Sequence, residues 1–333
     1  MELRPASENA TVLLLFGADR DDQIIANHGH VTVRGSSDLY GLIDPGHPHH
    51  RLQITRQFLR QNRRPSLTRY RVFLNLITEP EHNDQVLGNL RKLLKGVPGR
   101  VINRPEAVLR TTRDQVARRL ADIPGLLAPR VVRLKTAKPS SVRTLIERAG
   151  VDFPLILRRP GTHKGTSQDL FDDLVKMTST MVEGTEYFAT QFVDYRSPDG
   201  LYRKYRVFFI GPHAIFRHQV FSDHWNVHVN DRGRFMSDRP DLIAEEEAMF
   251  AMPDGNFNPE IKQTLAAVRE RINLDYFGID FGVMADGRLL LFEANATMNF
   301  FATIPGEQFA YTRACVSPAR AAFRKLLGLP PAT

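Results

Sequence analysis

The chain interleaves short apolar runs with amphipathic stretches, a pattern that predicts a mixed α/β protein. Thr11–Phe16 is continuously apolar from a β-branched start and ends at Gly17, which predicts a buried strand feeding a loop. Residues 17–68 are rich in Asp, His, Gly, Pro and Arg and have poor periodicity. Only a strand near His30–Val33 and a helix around Leu52–Asn62 are expected there. Tyr70–Ile77 predicts a strand. Val86, Leu90, Leu93 and Leu94 recur at helical spacing within Pro80–Lys95, and Gly96 is a stop signal. A short strand at Val101–Asn103 completes a strand–helix–strand unit, so a small parallel-sheet domain is expected to end near Pro105.

Beyond Thr111 the elements continue in the same alternation. A helix passes through Val116, Ala117 and Leu120, a strand covers Arg130–Leu134, and a helix Pro139–Ala149 closes on Gly150. The buried strand Phe153–Arg158 runs straight into the loop Pro160–Gly165, after which Gln168–Met177 is expected to be helical. Glu186–Val193, Tyr202–Ile210 and His213–Val220 read as three strands separated by turn residues. Leu242–Phe250 predicts an acidic helix and Pro259–Asn273 an amphipathic one. Tyr276–Met284 and Arg288–Ala294 read as a hairpin across Ala285-Asp286-Gly287, since an Asp-Gly pair is a strong turn signal. A helix over Pro318–Leu327 follows.

The 333 residues, 42% hydrophobic and 25% charged, fit roughly two globular domains and exclude a mainly disordered or fibrous chain. No apolar run approaches the roughly 20 residues that cross a bilayer. The single cysteine, Cys315, excludes an internal disulfide and a Cys-based zinc site; a reducing, cytoplasmic location is the expectation. The net charge of +8 is uneven: residues 1–150 carry 25 Lys and Arg against 14 Asp and Glu. Arg91, Arg110, Arg113, Arg118 and Arg119 are scattered through helical patterns with no interleaved aromatics. They read as a solvated basic face, with an anion-collecting surface as the second reading and a nucleic-acid groove disfavoured.

The chemistry-bearing residues concentrate in four places. In the hairpin, Glu293 and Asn295 are two apart and share a face, and Asp280 can pair near them. Two carboxylates and an amide oxygen make a hard, all-oxygen set suited to Mg²⁺, the alternative being solvated residues at a strand rim. In the loop after Arg158, Gly161 and Gly165 flank Thr162, His163 and Lys164; such a backbone can approach a phosphate closely, with Arg158, Arg159 and Lys164 supplying charge. This loop lacks the P-loop pattern. Gln191, Phe192 and Val193 end a strand that could offer backbone groups and an apolar wall to adenine. Lys204 and Arg206 share one face of their strand, opposite Arg203, where they could neutralise a polyphosphate or a carboxylate. Of eleven histidines, His47, His49 and His50 read as a solvated loop, and His218 is the candidate for contact with substrate or for proton transfer.

The order of these features resembles the ATP-grasp superfamily, in particular its glutathione-synthetase and ribosomal-protein-glutamate-ligase-like branch. The resemblance covers about residues 105–305 and includes the stretches Asp199–Arg206 and Phe292–Met298. It implies an N-terminal α/β (pre-ATP-grasp) domain at 1–104, a small subdomain with the phosphate loop at 105–185, and a large subdomain with the metal and substrate site at 186–333. It further implies an ATP-dependent ligase that activates a carboxylate as an acylphosphate for attack by an amine. Asp280, Glu293 and Asn295 would then hold one or two Mg²⁺. Arg158 stands where the family usually has a lysine, and the loop Gly161–Gly165 would cover the phosphates. Gln191, Phe192 and Val193 would contact adenine, and Asp194 the ribose. Arg206, with Lys204 beside it, would steady the γ-phosphate. His218 and Asn299 fall on the substrate side, where Ala296-Thr-Met-Asn299 replaces the family's usual Asn-x-x-Pro-Gly continuation. The partners implied are small-molecule or peptide carboxylates and amines, without nucleic acid or membrane, in a homodimer. A small-molecule kinase and a non-catalytic nucleotide-binding module are the rival readings.

Overall fold

The computed structural model describes residues 11–27, 30–33, 35–44, 46–60, 66–161, 168–301, 304 and 306–330. The first strands in chain order are β1 (Val12–Gly17), β2 (Ile24–Asn27), β3 (His30–Val33), β4 (His49–Ile54), β5 (Val72–Asn75) and β6 (Arg100–Ile102). They are followed by β7 (Leu126–Leu127), β8 (Val131–Leu134), β9 (Leu155–Arg158), β10 (Gln168–Phe171) and β11 (Tyr187–Gln191). The last four are β12 (Tyr202–Ile210), β13 (His213–Ser222), β14 (Tyr276–Val283) and β15 (Leu289–Asn295).

Strands β4-β1-β5-β6 form a parallel sheet, and β2 and β3 make a separate hairpin. The continuous apolar run of β1 follows from its position: Leu13 and Leu15 enter one core while Val12, Leu14 and Phe16 enter another, so both faces are covered. The helices Asp84–Leu93 and Arg113–Leu120 supply the first cover, and the last helix, Val316–Leu326, returns to supply the second. Because β14 contributes Phe277, Ile279 and Phe281 to the first of these cores, the parallel sheet and the C-terminal sheet share apolar packing.

That C-terminal sheet has the order β13-β12-β14-β15-β7, antiparallel except for β7. A third sheet, β10-β9-β11-β8, is antiparallel and closes over its own core of Val132, Leu155, Met177 and Ala189 with the helices Pro139–Ala149 and Leu174–Thr180.

Several expectations shift. Residues 49–54, partly assigned to a helix, are an edge strand, and the helix is confined to Arg56–Arg60. Gln168–Phe171 is a strand paired with β9; the helix begins after Asp173, whose carboxylate accepts from Lys176 N at 2.8 Å. The expected boundary between 185 and 186 cuts off β11, which is sandwiched between β8 and β9 of the small sheet. Residues Leu126–Leu127 pair with β15, so the start of the expected small subdomain belongs to the large sheet. Among the described residues no helix is long and apolar enough to cross a membrane.

Candidate active site

A cleft of about 1040 Å³ opens where the small sheet faces the C-terminal sheet, with loops of the parallel sheet at its end. The Asp286-Gly287 turn, with Gly287 at φ 85°, sets the β14–β15 register as far as Phe281 opposite Leu291, and a bulge at the next step, with Phe292 as the extra residue, brings Asp280 directly opposite Glu293. Arg206 lies opposite Asp280 on the next strand, and His218 opposite Arg206 on the one after. Directly opposed residues share a face, so His218, Arg206, Asp280 and Glu293 form one row across the sheet, and all four line the cleft. Period two also brings Lys204 to this face. Arg203 points away and pairs with Asp199 and Glu245.

The carboxylates in the row are held by cations. Asp280 receives Arg206 Nε at 2.5 Å and Nη2 at 2.7 Å, with Lys204 Nζ at 3.5 Å. Glu293 receives Arg113 Nη2 at 2.5 Å and Asn295 Nδ2 at 3.0 Å. Asn295 Oδ1 accepts from Thr297 N at 2.9 Å and Met298 N at 3.0 Å, so this oxygen is committed to the turn that follows β15. Arg113 also donates to Phe292 O at 2.5 Å. The sequence pattern reads Arg113 as part of a solvated basic face, yet it anchors the strand that carries Glu293. Its position in the first turn of a helix, where the dipole disfavours a cation, is a signal that could have marked it.

Arg158 ends β9 and lines the cleft; burial, and then the charge of Arg113, lower its pKa to about 10. Such an environment favours an anion beside it. Gly161 begins the expected phosphate loop in a left-handed conformation, φ 64°, with its carbonyl 3.3 Å from His82 Nε2. A Cβ at Gly161 would lie 1.9 Å from that nitrogen. Thr162, His163, Lys164 and Gly165 lie outside the described residues.

Gln191, Phe192 and Val193 line the cleft, but the Gln191 side chain is turned to Asp152, accepting from its N at 3.1 Å and donating to its O at 3.0 Å. Backbone N–H groups of Gln191 and Phe192 donate to Arg130 O and Pro154 O, and Phe192 and Val193 line the cleft. Asp194 is exposed beside the cleft and bonds Arg196 N at 3.0 Å. Trp225 packs edge-on to Phe192 with centroids 5.7 Å apart.

His218 and the exposed Asn299 both line the cleft. Burial holds the His218 imidazole well below its ordinary pKa, and Arg206, Arg232, Arg217 and Lys204 push the same way, so the ring is neutral. His47 and His50 carry lowered pKa values from burial, and no group of three His, Cys, Asp or Glu among the described residues is arranged to hold a metal by itself. Mg²⁺ takes one or two carboxylates together with substrate phosphates, so Asp280 and Glu293, paired on one face beside phosphate-seeking cations, fit that ion.

No protein-family model matches the sequence, and no curated protein matches it. Among solved structures, the VanG D-Ala:D-Ser ligase of Enterococcus faecalis superimposes with a TM-score of 0.57 at 12% identity, covering 97% of this chain and 99% of that one. The N5-carboxyaminoimidazole ribonucleotide synthetase of Thermotoga maritima gives 0.53 at 13% identity, covering 97% of this chain and 77% of its own. The carboxyaminoimidazole ribonucleotide synthase of Aspergillus clavatus, solved with ATP, gives 0.50 at 13%, with 97% and 78% covered. Together with the sheet order and the cleft between two antiparallel sheets, these superpositions show that the chain has the ATP-grasp fold.

Proposed function

We propose that the protein is an ATP- and Mg²⁺-dependent carboxylate–amine ligase acting on an amino acid or short peptide through an acylphosphate. The observation that carries this reading is the cleft-facing row of Arg206, Asp280 and Glu293 with Lys204 beside it, opposite Arg158 on the other sheet. A pair of carboxylates flanked by three cations matches a triphosphate and its metal ion, and the three solved structures named above are ligases or synthases.

Phosphoryl transfer requires positioning and charge neutralisation more than covalent help from the protein. Phe192 and Val193 would form the apolar wall for adenine, with Gln191 holding the strand through Asp152 and Asp194 at the ribose side. Arg158 would meet the phosphates from the small sheet, beneath the loop Gly161–Gly165 with Thr162, His163 and Lys164. Asp280 and Glu293 would hold Mg²⁺, which neutralises phosphate charge when bound. Asn295 would orient Glu293 through Nδ2; ligation through Oδ1 would require giving up its two backbone partners. Arg206 and Lys204, both in contact with Asp280, would face the γ-phosphate if that carboxylate were given to the metal, so the ion pairs keep these cations at the cleft wall. The substrate carboxylate oxygen would attack the γ-phosphorus as the β–γ bridging bond breaks and ADP leaves. An amine would then attack the acyl carbon and expel phosphate.

The test is ADP release from ATP and Mg²⁺ across a panel of amino acids and dipeptides, with hydroxylamine as a trap. Stimulated ADP release with hydroxamate formation is expected. ADP release with a stable phosphorylated product and no hydroxamate would make it a kinase, and nucleotide binding without stimulation by any panel member would make it a binding module.

A further inference from the structure

The row across the C-terminal sheet continues one strand past the proposed phosphate cations, to His218. Strands lie about 4.8 Å apart, so His218 stands one strand from Arg206 and about 10 Å from Asp280, next in line after the position of a γ-phosphoryl group. Its Nε2 is buried and has no hydrogen-bond partner among the described residues, although the residue is only 6% exposed and lines the cleft. Three further buried side-chain oxygens are in the same condition and line the same cleft: Thr190 Oγ1 at the end of β11, Thr297 Oγ1 after β15 and Ser36 Oγ after β3. Buried polar atoms are nearly always paired, so such orphans around one cavity call for a ligand; Thr190 belongs to the small sheet, whereas His218, Thr297 and Ser36 belong together.

These atoms come from three elements that meet at the segment after β15. Asp38 accepts from Phe300 N at 2.9 Å and Phe301 N at 2.8 Å, which brings the Ser36 loop onto that segment. Arg217 Nε donates to Phe300 O at 2.7 Å, which brings β13 onto its other side. Thr297 belongs to the same segment, and its N donates to Asn295 Oδ1.

The charges select the ligand. The cations acting on His218 are Arg206, Arg232, Arg217 and Lys204. The nearby acids are engaged: Asp280 with Arg206 and Lys204, Glu246 with Arg232, Asp38 with two backbone amides, and Glu79, which packs beside Gly35, with Glu81 N. An ammonium is repelled here. Two hydroxyls and an imidazole N–H can together donate three hydrogen bonds, which suits the two oxygens of a carboxylate.

We propose that His218 Nε2, Thr297 Oγ1 and Ser36 Oγ form the seat for the substrate carboxylate that receives the phosphoryl group. This rests on the ligase reading above. It assigns His218 the role of a hydrogen-bond donor rather than a proton acceptor. A neutral donor orients the carboxylate without lowering its nucleophilicity as a cation would. The seat defines the donor substrate as one presenting a free carboxylate at the inner end of the cleft; the corresponding carboxamide is not a ligand.

The experiment uses the full chain with Mg²⁺ and ADP, and acetate and acetamide as probes at equal ionic strength in chloride. The His218 imidazole signal in ¹⁵N NMR is assigned by its loss in His218→Gln. Acetate should shift that signal saturably and acetamide should not. Thr297→Val and Ser36→Ala should each weaken the acetate response at least tenfold and leave nucleotide affinity, followed by Trp225 fluorescence, within about twofold. An equal response to both probes, no response, or unaltered acetate affinity in both hydroxyl variants would overturn the seat while nucleotide binding persists. Absence of Mg²⁺-nucleotide binding to the unmodified protein would instead overturn the ligase reading.

Discussion

Two arginine–carboxylate pairs lie within the C-terminal half and look alike on paper, yet they do opposite work. Arg232 and Glu246 are sealed, with side chains 1% and 0% exposed. Each oxygen of Glu246 is doubly satisfied: Oε1 by Arg232 Nη2 and Gln219 N, Oε2 by Arg232 Nη1 at 2.6 Å and Tyr311 Oη at 2.7 Å. One cation meets one anion, and the network locks β13 to the helix Pro240–Met249 and to Tyr311. Arg206 and Asp280 also pair through two bonds, but at the cleft wall, with 16% and 7% exposed and Lys204 as a second cation on the same carboxylate. The sealed pair is balanced. The open one carries surplus positive charge, which the proposed polyphosphate would neutralise.

The largest expected effect breaks the balanced pair. Glu246→Ala leaves the Arg232 guanidinium buried and uncompensated, which should cost about 3–5 kcal/mol in chemical denaturation. A loss under about 1 kcal/mol would mean that the pair is relaxed by water and that the contrast is false. Next, Lys204→Met removes the surplus cation while Arg206 keeps both bonds to Asp280. Stability should hold or rise by up to ~1 kcal/mol while turnover falls about 100-fold, the cost of losing one charge-stabilising donor. Equal turnover would place the phosphates elsewhere. A smaller effect is expected at the cleft mouth: Gly161→Ala forces a left-handed alanine against His82, and should weaken nucleotide binding about tenfold, or ~1.4 kcal/mol. His82→Ala in the same chain should recover the steric part and leave the backbone strain.

The same contrast explains what was legible in the sequence. The Asp286-Gly287 turn makes the hairpin legible but by itself would set Asp280 opposite Phe292; the bulge between Asp280 and Phe281, which no local pattern marks, moves it opposite Glu293. The division of Lys204 and Arg206 from Arg203 follows from the period of a strand. Features that depend on partners distant in the chain were hidden. Arg113 reaches Glu293 across 180 residues. Gln191 lines the cleft, but the bonding of its side chain to Asp152, 39 residues away, has no local signal. The edge strand His49–Ile54 is half-exposed and lacks apolar alternation, so no local pattern announced it.

The central claim is that Asp280 and Glu293 receive a metal-bound triphosphate. Calorimetric titration of ATP into the unmodified protein and Asp280→Asn, each with and without Mg²⁺, tests it most directly. The account predicts uptake that tightens strongly with Mg²⁺ in the unmodified protein and loses that dependence in the variant. Binding indifferent to Mg²⁺ in the unmodified protein, or an Mg²⁺ dependence that survives in Asp280→Asn, would contradict it.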